Sequence, residues 1–216
     1  YRLELHIDHL ESLILGLDLR GITLVVHDWG GPIGLGLAVR YPERIRRIVV
    51  TNTAAFSTSF MPWPLGLCRW PWLDRLLIQD TACFCRAATR FTTVRPLSRE
   101  VREGYRYPYR RPADRLAMRR FVQDIPVGPQ HPSYELLLNI EHGLWMFREL
   151  PVAILWGMRD WVFTPRFLAR WRQIFPQARE LTLPEAGHLL FEDAGADVAE
   201  FLRQFLADTG SGKGAP

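Results

Sequence analysis

Three polar groups in this chain of 216 residues have types and placements that could do covalent chemistry together: Asp28, Asp160 and His188. Each follows a short apolar run of the kind that forms a buried strand, and strand ends are where open parallel sheets build sites. A carboxylate held at such an end can attack an electrophilic carbon. An imidazole within reach handles the proton as a general base, and a second carboxylate orients that imidazole and stabilises its charged form. The backbone N–H of Trp29 and the helix start behind it would support negative charge on Asp28. Each residue also has a plainer role. Asp28 suits a helix N-cap, Asp160 suits an Asx turn, and a Gly-His pair after a strand is commonly only a turn. Their joint appearance in the order nucleophile, acid, histidine favours catalysis over three unrelated turns.

The elements that must position them follow from the spacing of apolar residues. Residues 22–26 (Ile-Thr-Leu-Val-Val) are a buried, β-branched strand. They run through His27-Asp28-Trp29-Gly30-Gly31 into a helix whose Gly34, Gly36 and Ala38 let it lie close on a sheet. This is the strand–turn–helix setting of a nucleophile elbow, with aspartate where serine is more familiar. Ahead of it, Leu3, Ile7, Leu10, Ile14 and Leu17 recur at a helical period. Tyr41-Pro42 stops the second helix, and residues 45–50 form the next strand. Strands return at 152–156 and 178–183, with helices at 165–174 and 193–206. The fold class is therefore α/β, a mostly parallel sheet with right-handed crossovers, residues 1–56 and 150–207 forming its two parts. Between them, residues 57–149 lose the alternation and are punctuated by proline. Short helices read at 73–91, 98–105, 112–124 and 133–147. They predict a helical cap that excludes water from the strand ends and shapes an apolar pocket, or else a helical subdomain at an interface. The Gly/Ser/Ala-rich tail, 208–216, is predicted to be disordered.

Composition bounds the function. A hydrophobic content of 48% with eight tryptophans argues for a folded domain with a lined interior. The formal net charge is only +4. Arg44, Arg46 and Arg47, Arg110 and Arg111, and Arg119 and Arg120 read as solvated faces, since no nucleic-acid motif or aromatic interleaving accompanies them. A pathway-enzyme complex or peripheral attraction to an acidic membrane stays open. Cys68, Cys83 and Cys85 fit neither a disulfide framework nor a zinc site and suit a reducing, cytoplasmic setting. No apolar run reaches the roughly 18 residues of a membrane span, and no signal peptide is read. No metal or organic cofactor is implied, because no second His or Cys stands at ligand spacing from His188.

His27-Asp28-Trp29-Gly30-Gly31-Pro32, Trp156-Gly157-Met158-Arg159-Asp160 and Ala186-Gly187-His188 together resemble the haloalkane dehalogenase group of α/β-hydrolases. That resemblance implies an aspartate nucleophile and a triad of Asp28, Asp160 and His188. Asn52, where another branch carries its acid, favours Asp160 in that role. Within the group, Asn52-Thr53-Ala54-Ala55-Phe56, Pro108-Tyr109, residues 120–126 (Arg-Phe-Val-Gln-Asp-Ile-Pro) and residues 157–163 resemble the β-lactone decarboxylases of bacterial long-chain olefin biosynthesis (the OleB type). It covers nearly the whole chain apart from the tail. Trp29, Asn52 and Phe56 are then expected at the substrate or oxyanion. Two departures stand out: Val26 replaces a glycine at the elbow, and Leu189-Leu190-Phe191 follows His188 where the decarboxylases carry a tyrosine. The chain also matches only the C-terminal three-fifths or so of such a domain. The strand at 22–26 is accordingly expected to have an unpaired apolar edge that earlier strands would cover.

Three functions follow. The first is decarboxylation of a long-chain cis-β-lactone to an alkene, with alkyl chains held among Trp63, Trp70, Trp72, Phe84, Phe91 and Trp145, about half of which are expected to touch a ligand. The second is haloalkane dehalogenation through an alkyl-enzyme ester that His188 helps water to hydrolyse. The third is a non-catalytic scaffold for other enzymes. In all three the partner bound at the cap is small and apolar or is another protein, not nucleic acid.

Overall fold

The computed structural model describes residues 1–210. Four strands, β1 (Ile22–Asp28), β2 (Ile45–Thr53), β3 (Val152–Gly157) and β4 (Arg179–Leu183), form one parallel sheet in the order β1-β2-β3-β4. Val26 stands opposite Val50, and Val50 opposite Ile154. Side chains alternate across a strand, so Val26, Ile48, Val50, Ile154 and Trp156 share one face. That face buries against α1 (Leu3–Gly16), α2 (Gly30–Arg40) and α8 (Pro165–Ile174). Val49, Ala153, Leu155 and Leu183 point the other way, onto α9 (Leu190–Asp193) and α10 (Gly195–Gly210). Two separate apolar layers thus fix the register, because a one-residue slip would expose both.

β1 and β2 run two and three residues further than their apolar runs, and the added residues include Asp28, Asn52 and Thr53. Among the described residues β1 pairs only with β2 and is an edge strand, as β4 is on the other side. Val25 on it is 49% exposed, whereas its partner across the ladder, Val49, is fully buried. No described helix is long and apolar enough to cross a membrane.

Residues 57–149 are built from short helices: α3 (Trp63–Leu67), a π-helical turn at Arg75–Asp80, α4 (Cys83–Phe91), α5 (Arg99–Arg106), α6 (Leu116–Gln123) and α7 (Tyr134–Gly143). The helix expected over 73–91 is broken. Both the N–H and the hydroxyl of Thr81 return to Leu76 O, closing the π-helical turn, and Ala82 takes a left-handed φ of 57° before α4 begins. α3 was hidden from the sequence by Pro62 and Pro64, yet Pro64 sits in its first turn, where the missing N–H costs nothing. Ser98 caps α5, accepting from Val101 N at 3.2 Å.

Several arginines expected as solvated faces are structural instead. Arg119 donates to the buried Asp74 carboxylate at 2.6 Å, binding α6 to the π-helical turn. Arg47, only 7% exposed, holds Thr209 through its hydroxyl and carbonyl oxygens at 2.6 and 2.7 Å. That grip explains why α10 continues through Asp208 to Gly210, where the sequence predicts a disordered tail; the rest of that tail, 211–216, lies outside the described residues.

A Cβ on Gly34 would meet Val26 Cγ1 at 2.8 Å, so α2 owes its close seat on β1 to that position. Gly34→Ala should lower the unfolding free energy by about 1–3 kcal/mol in urea titration. Gly16→Ala, where nothing lies within 4 Å, should be neutral or slightly stabilising.

Candidate active site

The elbow is built by backbone geometry. β1 must turn into α2 within two residues, and Asp28 takes the strain with φ 47°, a conformation uncommon outside glycine and asparagine. The Thr53 hydroxyl donates to the Asp28 carbonyl oxygen and pins the turn from β2. The Asp28 side chain is left 45% exposed, and what it faces is a large apolar cavity.

His188 hangs over that carboxylate from the loop after β4. Its Nε2 lies 3.5 Å from Asp28 Oδ2, and its Nδ1 donates to Asp160 Oδ2 at 2.9 Å. Asp160 is completely buried in the loop after β3. Its second oxygen accepts from Val162 N at 2.7 Å, and Oδ2 also accepts from the Asn52 amide at 2.9 Å. The two loops can approach this closely because position 157 is glycine: a Cβ there would run into Gly187 O and lie 2.8 Å from Ala186 O. The His188 ring is stacked on Phe163 at 5.7 Å and faces His27 at 4.6 Å.

Burial alone would strip the proton from His188. The hydrogen bonds and charges of Asp160 and Asp28 outweigh it and hold the imidazole protonated, its pKa raised to about 10. Burial would likewise protonate Asp28, but the hydrogen bond and charge of His188, with help from the Trp29 N–H, carry its carboxyl below the ordinary aspartate range. His27 goes the other way. Burial, reinforced by the neighbouring His188 charge, lowers it to about 4, so it stays neutral beside the ion pair. At neutral pH the Asp28 carboxylate therefore faces a His188 imidazolium.

The cavity above Asp28 measures about 1040 Å³, at the top of the usual range for ligand pockets. Its floor is Asp28, Trp29 and His188; its walls come from α3, α4 and α6 and from the loop after β3. Of the six aromatic residues expected to line it, Trp63, Phe84 and Phe91 do, whereas Trp70, Trp72 and Trp145 do not. Trp161, Phe163, Tyr105 and Tyr109 line it as well. Tyr105 reaches it from the polar helix α5, and Trp161, Phe163 and Tyr109 from loops and short turns, so no apolar period marks any of them.

The structure brings together Asp28, Asp160 and His188 and places Trp29 and Phe56 in the cavity lining, Phe56 packed on Phe167 and Trp171. Asn52 is a correction. It is fully buried, away from the cavity lining, and its amide is committed: Oδ1 accepts from Gly157 N at 2.7 Å, and Nδ2 donates to Gly157 O and to Asp160. It has no free group for substrate or oxyanion. It holds the acid.

The sequence profile described as the alpha/beta hydrolase fold matches residues 1–195. The chain belongs to the α/β-hydrolase family. Among proteins similar to this α/β-hydrolase is a cis-3-alkyl-4-alkyloxetan-2-one decarboxylase of Shewanella oneidensis, 40% identical over 97% of this chain and 67% of its own length. A protein of the same description from Xanthomonas campestris is 36% identical over 95% of this chain and 70% of its own. A haloalkane dehalogenase of Psychrobacter cryohalolentis is 30% identical over 96% and 68% respectively. The crystal structure of haloalkane dehalogenase DbeA from Bradyrhizobium elkani superposes with a TM-score of 0.89 at 21% identity, covering 98% of this chain and 75% of that one.

Asn52→Ala should cost about 1–3 kcal/mol of stability, because Gly157 N–H loses its side-chain acceptor and Asp160 Oδ2 keeps only the His188 donor; urea unfolding measures it. His188 sets a pH dependence. Its folded pKa lies above the unfolded value, so its contribution is complete below about pH 6.5 and disappears as pH rises toward 10. The urea midpoint should fall across that window, and less steeply in His188→Gln.

Proposed function

We propose that this α/β-hydrolase decarboxylates cis-β-lactones bearing long alkyl chains, with Asp28 as nucleophile. The observation that carries the reading is an ionised carboxylate at the floor of a large apolar cavity, in a chain 40% identical to a protein described as such a decarboxylase. Asp28 attacks the alkyl-bearing ring carbon bonded to the ring oxygen, not the carbonyl carbon; that carbon–oxygen bond breaks and frees a carboxylate beside the new ester. That carboxylate leaves as carbon dioxide, its electron pair forms the alkene, and the ester bond to Asp28 breaks. Inversion at the attacked carbon followed by anti elimination turns a cis lactone into a cis alkene. The aspartate is regenerated without water. The imidazolium of His188 stabilises the displaced carboxylate and needs to give up no proton.

Haloalkane dehalogenation is the second reading, favoured by the relative from Psychrobacter cryohalolentis. There Asp28 displaces halide, and the ester it forms removes one of the two charges that hold the His188 proton, which frees the imidazole to activate water. A departing halide needs N–H donors. Trp29 supplies one, but Trp161 Nε1 is bound to Phe91 O at 2.8 Å and the Asn52 amide is committed, which weighs toward the lactone.

The test is to supply a long-chain cis-β-lactone and, separately, a bromoalkane, and to measure alkene and halide release. Alkene from the lactone supports the proposal; halide release without alkene overturns it in favour of the second reading, and neither product, with other enzymes still bound, favours the scaffold. Asp28→Asn should lower the productive rate by about 10⁴-fold or more and Asp160→Asn by about 10³–10⁴-fold. The lactone rate should stay level through neutral pH and fall as pH rises through about 10, where the imidazolium is lost.

A further inference from the structure

Asp193 is a buried carboxylate that the chemistry above does not use. It is the last residue of α9, five residues beyond His188, and only 6% exposed. It is not the cap of α10, which starts at Gly195. Its oxygens accept instead from three backbone N–H groups distant from that helix: Val94 at 2.9 and 3.0 Å, Arg95 at 2.9 Å and Gly187 at 2.8 Å. Gly187 precedes His188. On the other side of the histidine, Leu189 N donates to Thr92 O at 3.0 Å. The N–H groups of the residues on either side of His188 are therefore both tied to residues 92–95, that of Leu189 directly and that of Gly187 through Asp193. Position 187 has to be glycine for this approach, since a Cβ would meet Thr92 O at 2.7 Å.

Residues 92–95 continue from α4, whose Phe84, Ala88, Thr89 and Phe91 line the cavity. The same segment also reaches the loop of the triad acid, where Trp161 donates to Phe91 O. We infer that Asp193 is a positioning residue, which sets His188 between Asp28 and Asp160 and couples that placement to the cap wall that receives the substrate. A carboxylate suits the task because it offers two acceptor oxygens to three donors that converge from two segments. An amide offers one oxygen and turns an N–H₂ group toward other N–H groups.

The inference rests on the catalytic assignment of His188, and its test has a readout that needs no turnover. The ring nitrogens of His188 are titrated by ¹⁵N NMR in the unsubstituted protein and in Asp193→Asn, and kcat and KM are measured with the cis-β-lactone. The expected result is that His188 in Asp193→Asn titrates at least one pH unit lower, because its contacts with the two carboxylates loosen. Where the lactone is a substrate, kcat should fall at least tenfold with KM changed less than twofold. A folded Asp193→Asn whose His188 titrates as in the unsubstituted protein overturns the inference, even if its melting temperature drops. If that variant does not fold, amide hydrogen exchange in the unsubstituted protein decides. Comparable slow exchange at Gly187, Val94 and Arg95 supports the clamp, whereas exchange at Gly187 more than a hundredfold faster than at Val94 rejects it.

Discussion

A carboxylate at the bottom of an apolar cavity would ordinarily take up a proton and cease to be a nucleophile. The imidazolium of His188 prevents this at Asp28, and Asp160 in turn keeps His188 charged. Neither pair is stable in that setting without the third member: a lone buried imidazolium would lose its proton, and two facing carboxylates would share one. Much of the surrounding structure serves this arrangement. Asn52 fixes the acid, Gly157 lets the two loops meet, and the left-handed turn at Asp28 aims the carboxylate upward.

The same ion arrangement links the two chemistries found among the relatives. While Asp28 is free, two negative charges hold the proton on His188. On the proposed mechanism, esterifying Asp28 would remove one charge, and the imidazole would become a competent base where water is present. A substrate that carries its own leaving carboxylate finishes its reaction without that base; one that does not must wait for hydrolysis. On that proposal the cavity would decide which occurs, because an alkyl-filled, water-poor site favours the first route.

The parallel sheet was legible in the sequence, since β-branched runs at 22–26, 45–50 and 152–156 have no other plausible home; the order of its strands was not. The acid and the histidine were legible as polar residues just beyond such runs. Less visible were interactions that depend on a turn of backbone. Asn52 was expected to face substrate, yet with φ at 26° it sits fully buried, its amide spent on β3 and Asp160. Asp193 read as the start of the last helix, because nothing in its neighbourhood reveals that Val94 and Arg95, a hundred residues earlier, supply its donors. The cap resisted for the same reason. Its helices are short, its prolines fall both inside and between them, and the break at Thr81-Ala82 arises from a side chain bonding back to the backbone.

The most direct test of the central claim is the ionisation of Asp28 itself. Infrared difference spectra between the unsubstituted protein and Asp28→Asn, recorded as pH is lowered from 7, isolate its carboxylate stretch. The account predicts that this band persists below the ordinary aspartate value of 3.8, sustained by the neighbouring imidazolium. A band that vanishes well above that value, with Asp28 protonated near neutrality, would contradict it.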